Sequence, residues 1–106
     1  MLRHVVLLRW KEGATEAEKR AVEEGLRALP AAIPQIRRYE LGADAGLAEG
    51  NFDFALVADF DSPADFVTYQ EHPEHQRLLR ERLRPAIAAR AAAQYGLPSD
   101  GSRETP

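Results

Sequence analysis

Residues 69–75 read Tyr-Gln-Glu-His-Pro-Glu-His, which gathers two of the chain's three histidines and one of its three tyrosines into a single short stretch. A neutral imidazole is a base near physiological pH, and a phenol can donate to an oxygen that is gaining charge. His75 and Tyr69 together therefore suit proton abstraction beside a carbonyl, with His75 as general base and the Tyr69 hydroxyl donating to the enolate oxygen. The competing reading is structural: the two groups hydrogen-bond each other and pin a helix corner. His4, near the N-terminus, reads as a core histidine that becomes an auxiliary polar contact if it points into the same cavity. Glu71, His72, Glu74 and His75 are metal-ligand types. A proline divides the histidines and the glutamates read as solvent-facing, so neither a metal nor any other cofactor is expected.

Several elements must position these groups. The residue before a proline is pushed out of helical geometry, while proline suits a helix's first turn. Residues 62–71 thus form one short helix, with Ser62 as N-cap and Pro63 at its first position. His72-Pro73 is a corner, and a second helix starts at Glu74 and is limited by Pro85. Phe66 and Tyr69 share one side of the first of these helices. His72 reads as a helix C-terminal residue, favourable against the negative dipole end. His75 lies near a helix N-terminus, where the positive end favours the neutral ring.

Leu2–Trp10 alternates as a strand. His4, Val6, Leu8 and Trp10 lie on one face, and Arg3, Val5, Leu7 and Arg9 on the other. Both faces are apolar at the centre, so both need a cover. Thr15 and Glu18 fit a capping box for a helix that runs to about Leu29 with Val22, Leu26 and Leu29 inward, and Pro30 and Pro34 should stop it. Residues 35–41 form a weaker strand, 42–51 a glycine-bearing loop, and 52–60 a clear strand with Phe54 and Leu56 on the face opposite Ala55 and Val57. For residues 88–95 alanine content favours a helix. The element order lacks one strand, however, and topology assigns this segment as that strand. The domain spans 1–96, and 97–106 reads as a disordered tail.

The 106 residues suffice for one domain with a modest core. The net charge of −3 offers no attraction to nucleic acid. Arg77, Arg80, Arg82 and Arg84, interleaved with Glu81, read as a solvated helix face without stacking aromatics. No apolar run is long enough to span a membrane. The chain has no cysteine, hence no disulfide or thiolate chemistry. A cytoplasmic location is expected.

The order β-α-β-β-α-β is that of the ferredoxin-like fold, an α+β class with an antiparallel four-stranded sheet. An early His-Val-Val-Leu-Leu-Arg-Trp, Thr15 and Lys19 at a helix start, Asp59-Phe60-Asp61-Ser62 at a strand end and a late Tyr-x-x-His-Pro-x-His complete the pattern. In this order and spacing they resemble the stress-responsive dimeric α/β-barrel (Dabb) family. The resemblance implies a homodimer whose two sheets face each other and close a barrel, burying Leu7 and Val57 only in the pair. It also implies a distant similarity to a plant polyketide cyclase, whose paired tyrosine and histidine match Tyr69 and His75. That enzyme's first-strand histidine matches His4. Two further pocket groups of the cyclase fall near Leu26 and on Phe54, which makes this pocket more apolar.

The expected function is therefore a homodimer that binds a small apolar carbonyl compound, with cyclase-like acid/base chemistry at His75, Tyr69 and His4. Trp10, Leu26, Phe54, Leu56 and Phe66 are the candidate binding residues, although aromatic side chains under a helix are more often plain core. The alternatives are a non-catalytic stress-response or ligand-carrier protein and an accessory partner of a larger enzyme system.

Overall fold

A computed structural model describes residues 1–98. The strands are β1 (Leu2–Trp10), β2 (Arg38–Ala43), β3 (Phe54–Phe60) and β4 (Ile87–Gly96). The helices are α1 (Glu16–Ala32), α2 (Pro63–Glu71) and α3 (Pro73–Leu78). A π-helical stretch, Leu79–Leu83, and a helical turn, Arg84–Ala86, lead from α3 into β4. The sheet order is β2-β3-β1-β4 with every neighbour antiparallel, which is the ferredoxin-like arrangement. The described part of the molecule is only 17 Å along its shortest axis, enough for one sheet and one helical layer.

Period-two alternation decides which face meets the helices. His4, Val6 and Leu8 of β1 are buried there with Phe54, Leu56, Ala58 and Phe60 of β3. Val22, Leu26 and Leu29 of α1 complete the core. Helix α1 starts as its sequence dictates, with Glu18 N–H donating to Thr15 Oγ1 at 3.1 Å and Thr15 N–H to Glu18 Oε1 at 3.1 Å. It does not stop at Leu29. Pro30 lies within the helix, where it removes one hydrogen bond close to the end. The last turn closes through Ile33 N–H to the Leu29 carbonyl at 2.9 Å, with Ile33 fully buried, before Pro34. One sequestered isoleucine outweighs one missing bond.

Other strand boundaries also differ from expectation, β2 starting at Arg38 and β4 spanning Ile87–Gly96. The β2 strand runs through Ala43, which the sequence assigned to the loop, because Gly42 and Ala43 pair with Ala55 and Phe54. Asp53 sits outside β3 because its groups are used elsewhere: Oδ2 accepts from Trp10 N–H at 2.9 Å, and its own N–H donates to the Leu8 carbonyl at 2.8 Å. The expected tail, 97–106, lies mostly outside the described residues, but Leu97 N–H donates to the Met1 carbonyl at 2.8 Å.

The strand assigned on topology against alanine propensity is present. β4 pairs with all of β1, from Leu2↔Gly96 to Trp10↔Ile87, with one irregularity at Arg9/Trp10. On the outer face Asp59 is buried although it lies on that open side. Arg3 covers it with Nε at 2.8 Å from Oδ1 and a terminal nitrogen at 2.9 Å from Oδ2. The Arg3 guanidinium holds the Asp59 carboxyl below its usual range.

Candidate functional site

The His72-Pro73 corner forms as proline stereochemistry requires. Ser62 Oγ caps α2 by accepting from Asp65 N–H at 3.2 Å, and α2 ends at Glu71. His72 has extended backbone (φ −61°, ψ 135°), and Pro73 opens α3. His72 ends α2 as expected, its N–H donating to the Tyr69 carbonyl at 3.2 Å, and it has a second part as well. Its Nδ1 accepts from Glu74 N–H at 3.1 Å, so the ring is an N-cap for α3 and must be unprotonated at that nitrogen.

The corner turns Tyr69 and His75 inward. Tyr69 is 2 % exposed and His75 8 %, with ring centroids 4.4 Å apart. They do not satisfy each other. His75 Nδ1 lies 3.0 Å from the Gln70 carbonyl oxygen. A carbonyl only accepts, so Nδ1 carries the hydrogen and Nε2 keeps its lone pair. The Tyr69 hydroxyl has no hydrogen bond among the described residues. Burial first, then the charges of Arg90 and His72, lowers the His75 pKa below the ordinary imidazole value, against a rise from the bond to Gln70. Burial likewise pushes the Tyr69 phenol up to about 12, opposed by Arg90.

His4 joins them from β1. Its ring lies 6.0 Å from that of Tyr69, and its Nδ1 is 2.9 Å from Nε2 of Gln94 on β4. An amide N–H donating there leaves the His4 hydrogen on Nε2. Burial, then Arg90 and His75, lowers His4 from 6.5 to about 4.

Tyr69, His75 and His4 line one cavity of about 450 Å³ between the sheet and the helices. Leu26 and Leu56, two of the candidate binding residues, also line it. Three other candidates do not. Trp10 and Phe54 pair with each other, centroids 6.0 Å apart, deeper along the sheet. Phe66 packs on His4 at 4.9 Å and Phe60 at 5.7 Å, behind the cavity wall. The walls come instead from Val6, Leu8, Leu79, Leu83 and Ile87. Among the described residues no three His, Asp or Glu side chains cluster as a metal site would need. None of the described helices is long and apolar enough to cross a membrane.

The model of the family called Stress responsive A/B Barrel Domain, or Dabb, matches residues 2–96. The chain belongs to this family. Among solved structures this Dabb chain is similar to a dimeric ferredoxin-like protein of unknown function from Thermobifida fusca. The two are 45% identical with a TM-score of 0.83, over 91% of this chain and 90% of that one. An uncharacterized protein of Streptomyces coelicolor is 32% identical over 72% of this chain and 80% of its own length. The hydroxynitrile lyase of Passiflora edulis superposes with a TM-score of 0.82 at 22% identity, over 92% of this chain and 94% of that one, a likeness of fold.

Sequence reasoning missed two arginines of the Dabb cavity. Arg84, expected on a solvated helix face, and Arg90 of β4 both line it. Register opposes Arg90 to Leu8 and Gln94 to His4, so both lie on the helix side of the sheet. A signal existed. Arg90 and Gln94 stand four apart in an otherwise alanine-rich strand and so must share a face.

Proposed function

We propose that this chain is a homodimeric α/β-barrel protein that binds a small apolar carbonyl compound in the sheet–helix cavity and catalyses proton transfer on it. The observation that carries the reading is the bond from His75 Nδ1–H to the Gln70 carbonyl, which leaves a basic Nε2 beside an uncommitted Tyr69 hydroxyl. His75 Nε2 takes the proton from the carbon next to the carbonyl, and the electron pair moves to the carbonyl oxygen. Tyr69 donates a hydrogen bond to that enolate. In a substrate with a second carbonyl, the enolate carbon attacks it, forming the C–C bond, and the new alkoxide recovers the proton from His75. This is the aldol ring closure of a polyketide cyclase. His4 supplies an auxiliary polar contact from the opposite wall.

The homodimer follows from the sheet's uncovered side. Val5, Leu7, Val57, Ala91 and Ala93 share the face away from the helices, with Leu7 36% and Tyr95 48% exposed. A second copy laid against it buries this stripe, in line with the dimeric state of the Thermobifida fusca neighbour.

Turnover of poly-β-keto thioesters, followed as ring-closed product by mass spectrometry, tests the chemistry. His75→Gln is expected to lower the rate by about 10²–10⁴. Tyr69→Phe should lower it by about 10²–10³. Equal rates in all three chains would remove the catalytic claim. The apolar cavity walls would then favour a carrier, recognised by ligand affinity that neither substitution alters.

A further inference from the structure

We propose that the open side of this cavity is an anion site in which Arg90, assisted by Arg84, binds the carboxylate of an amphiphilic ligand whose hydrocarbon part lies among the leucines. The inference deepens the ligand-binding reading and rests on it.

Both arginines line the cavity, and both are exposed at its solvent side, whereas the interior is built by Val6, Leu8, Leu26, Leu56, Leu79 and Leu83. Arg90 comes from the helix-side face of an edge strand, opposite Leu8. Its neighbours on that face include only Ala92 before Gln94, so nothing bulky separates it from the cavity. Ion pairs occupy Arg3, Arg27, Arg37, Arg38 and Arg77. Backbone carbonyls occupy Arg9 and Arg82. Among the described residues Arg20, Arg80, Arg84 and Arg90 have no such partner, and of these only Arg84 and Arg90 line the cavity, which leaves two guanidinium forks free at one opening.

Against them stands a single carboxylate there, Glu71, which is exposed and unpaired among the described residues. The remaining polar lining at that side, Gln70 and Gln76, is neutral, with Gln76 Nε2 donating to the Gln70 carbonyl at 2.6 Å. The balance at the opening is one net positive charge above an apolar interior. That pairing suits a ligand with a hydrocarbon body and an anionic head. A planar guanidinium matches a carboxylate through two parallel N–H donors. The charge of Arg90 also reaches inward, since it lowers the pKa values of His4, Tyr69 and His75 together.

The test is calorimetric titration of the full chain with octanoate and with octanamide, which share a hydrocarbon body and differ in the charge of the head. The wild-type chain is expected to bind octanoate about ten-fold more tightly than octanamide, the advantage of a charge-assisted pair. Arg90→Gln should erase the difference while leaving octanamide affinity within about two-fold, and Arg90→Lys should keep part of it. Arg84→Gln, at a second exposed position, should reduce the preference without abolishing it. Equal wild-type affinities for the two compounds would overturn the anion site and leave the cavity reading standing. Binding of neither compound would defeat the cavity reading itself. A loss of both affinities alike in Arg90→Gln, with circular dichroism unchanged, would assign Arg90 to shaping the wall and sink the proposal.

Discussion

His4 sits 3% exposed among aromatic rings, with Gln94 on one nitrogen, and its lowered pKa of about 4 makes it a group whose charging opposes folding. Above pH 6.5 the ring is neutral in both the folded and the unfolded chain, and the fold keeps its full stability. Between 6.5 and about 4 the unfolded chain takes up a proton that the folded one refuses, so stability falls with pH across that window. His75, lowered in the same direction, adds to the slope. Urea midpoints measured from pH 7 to pH 4.5 should therefore decline, and His4→Asn should flatten the decline. A wild-type chain that gains stability on acidification would contradict the burial of His4. The depressed Asp59 carboxyl acts lower still: its contribution is complete above 3.8 and is lost as pH falls through its folded-state value. At this scale Tyr69 and His75 were legible because a proline between two histidines announces a corner. Arg90 was not, since the face a strand residue occupies depends on a register that only pairing sets.

The elements were legible wherever one local rule acted alone. The Thr15 capping box, the Ser62 N-cap, alternation and the Pro73 break each located a boundary, and β4 followed from topology because pairing along the whole of β1 outweighs the helical bias of alanine. The misses came where tertiary burial competed with a local rule. Ile33 carries α1 through Pro30, and the N–H and carboxylate of Asp53 bond to β1 just ahead of β3. The corner makes a sharper prediction. His72 caps α3 through Nδ1, so His72→Ala should cost about 1 kcal/mol in chemical denaturation, the usual loss for a removed N-cap. His72→Asn, which keeps an acceptor in place, should recover most of it. If alanine and asparagine are equally costly, the ring acts through packing and not as a cap.

For the whole molecule, one layer of helices covers one face of the sheet, and the proposed second copy covers the other. Val57 lies at the middle of the uncovered side, across from Val5 and beside the Arg3–Asp59 ion pair. Val57→Asp sets a carboxylate against Val5 and, in the pair, against the facing sheet. Sedimentation velocity at micromolar concentration should show two chains for the wild type and a monomer or aggregate for the variant. A wild-type chain that sediments as a folded monomer would refute the barrel. The cross-linked order of strands carries one more consequence, for synthesis. β1 leaves the ribosome before its partner strands, yet both of its edges are claimed by them, and one of them waits for Gly96. The lining of the cavity is likewise shared between β1 and β4, with His4 and Leu8 from the one and Ile87 and Arg90 from the other. A nascent polypeptide halted before β4 holds His4, Tyr69 and His75 and still has no finished cavity, so the proposed ligand site is complete only after translation has delivered β4.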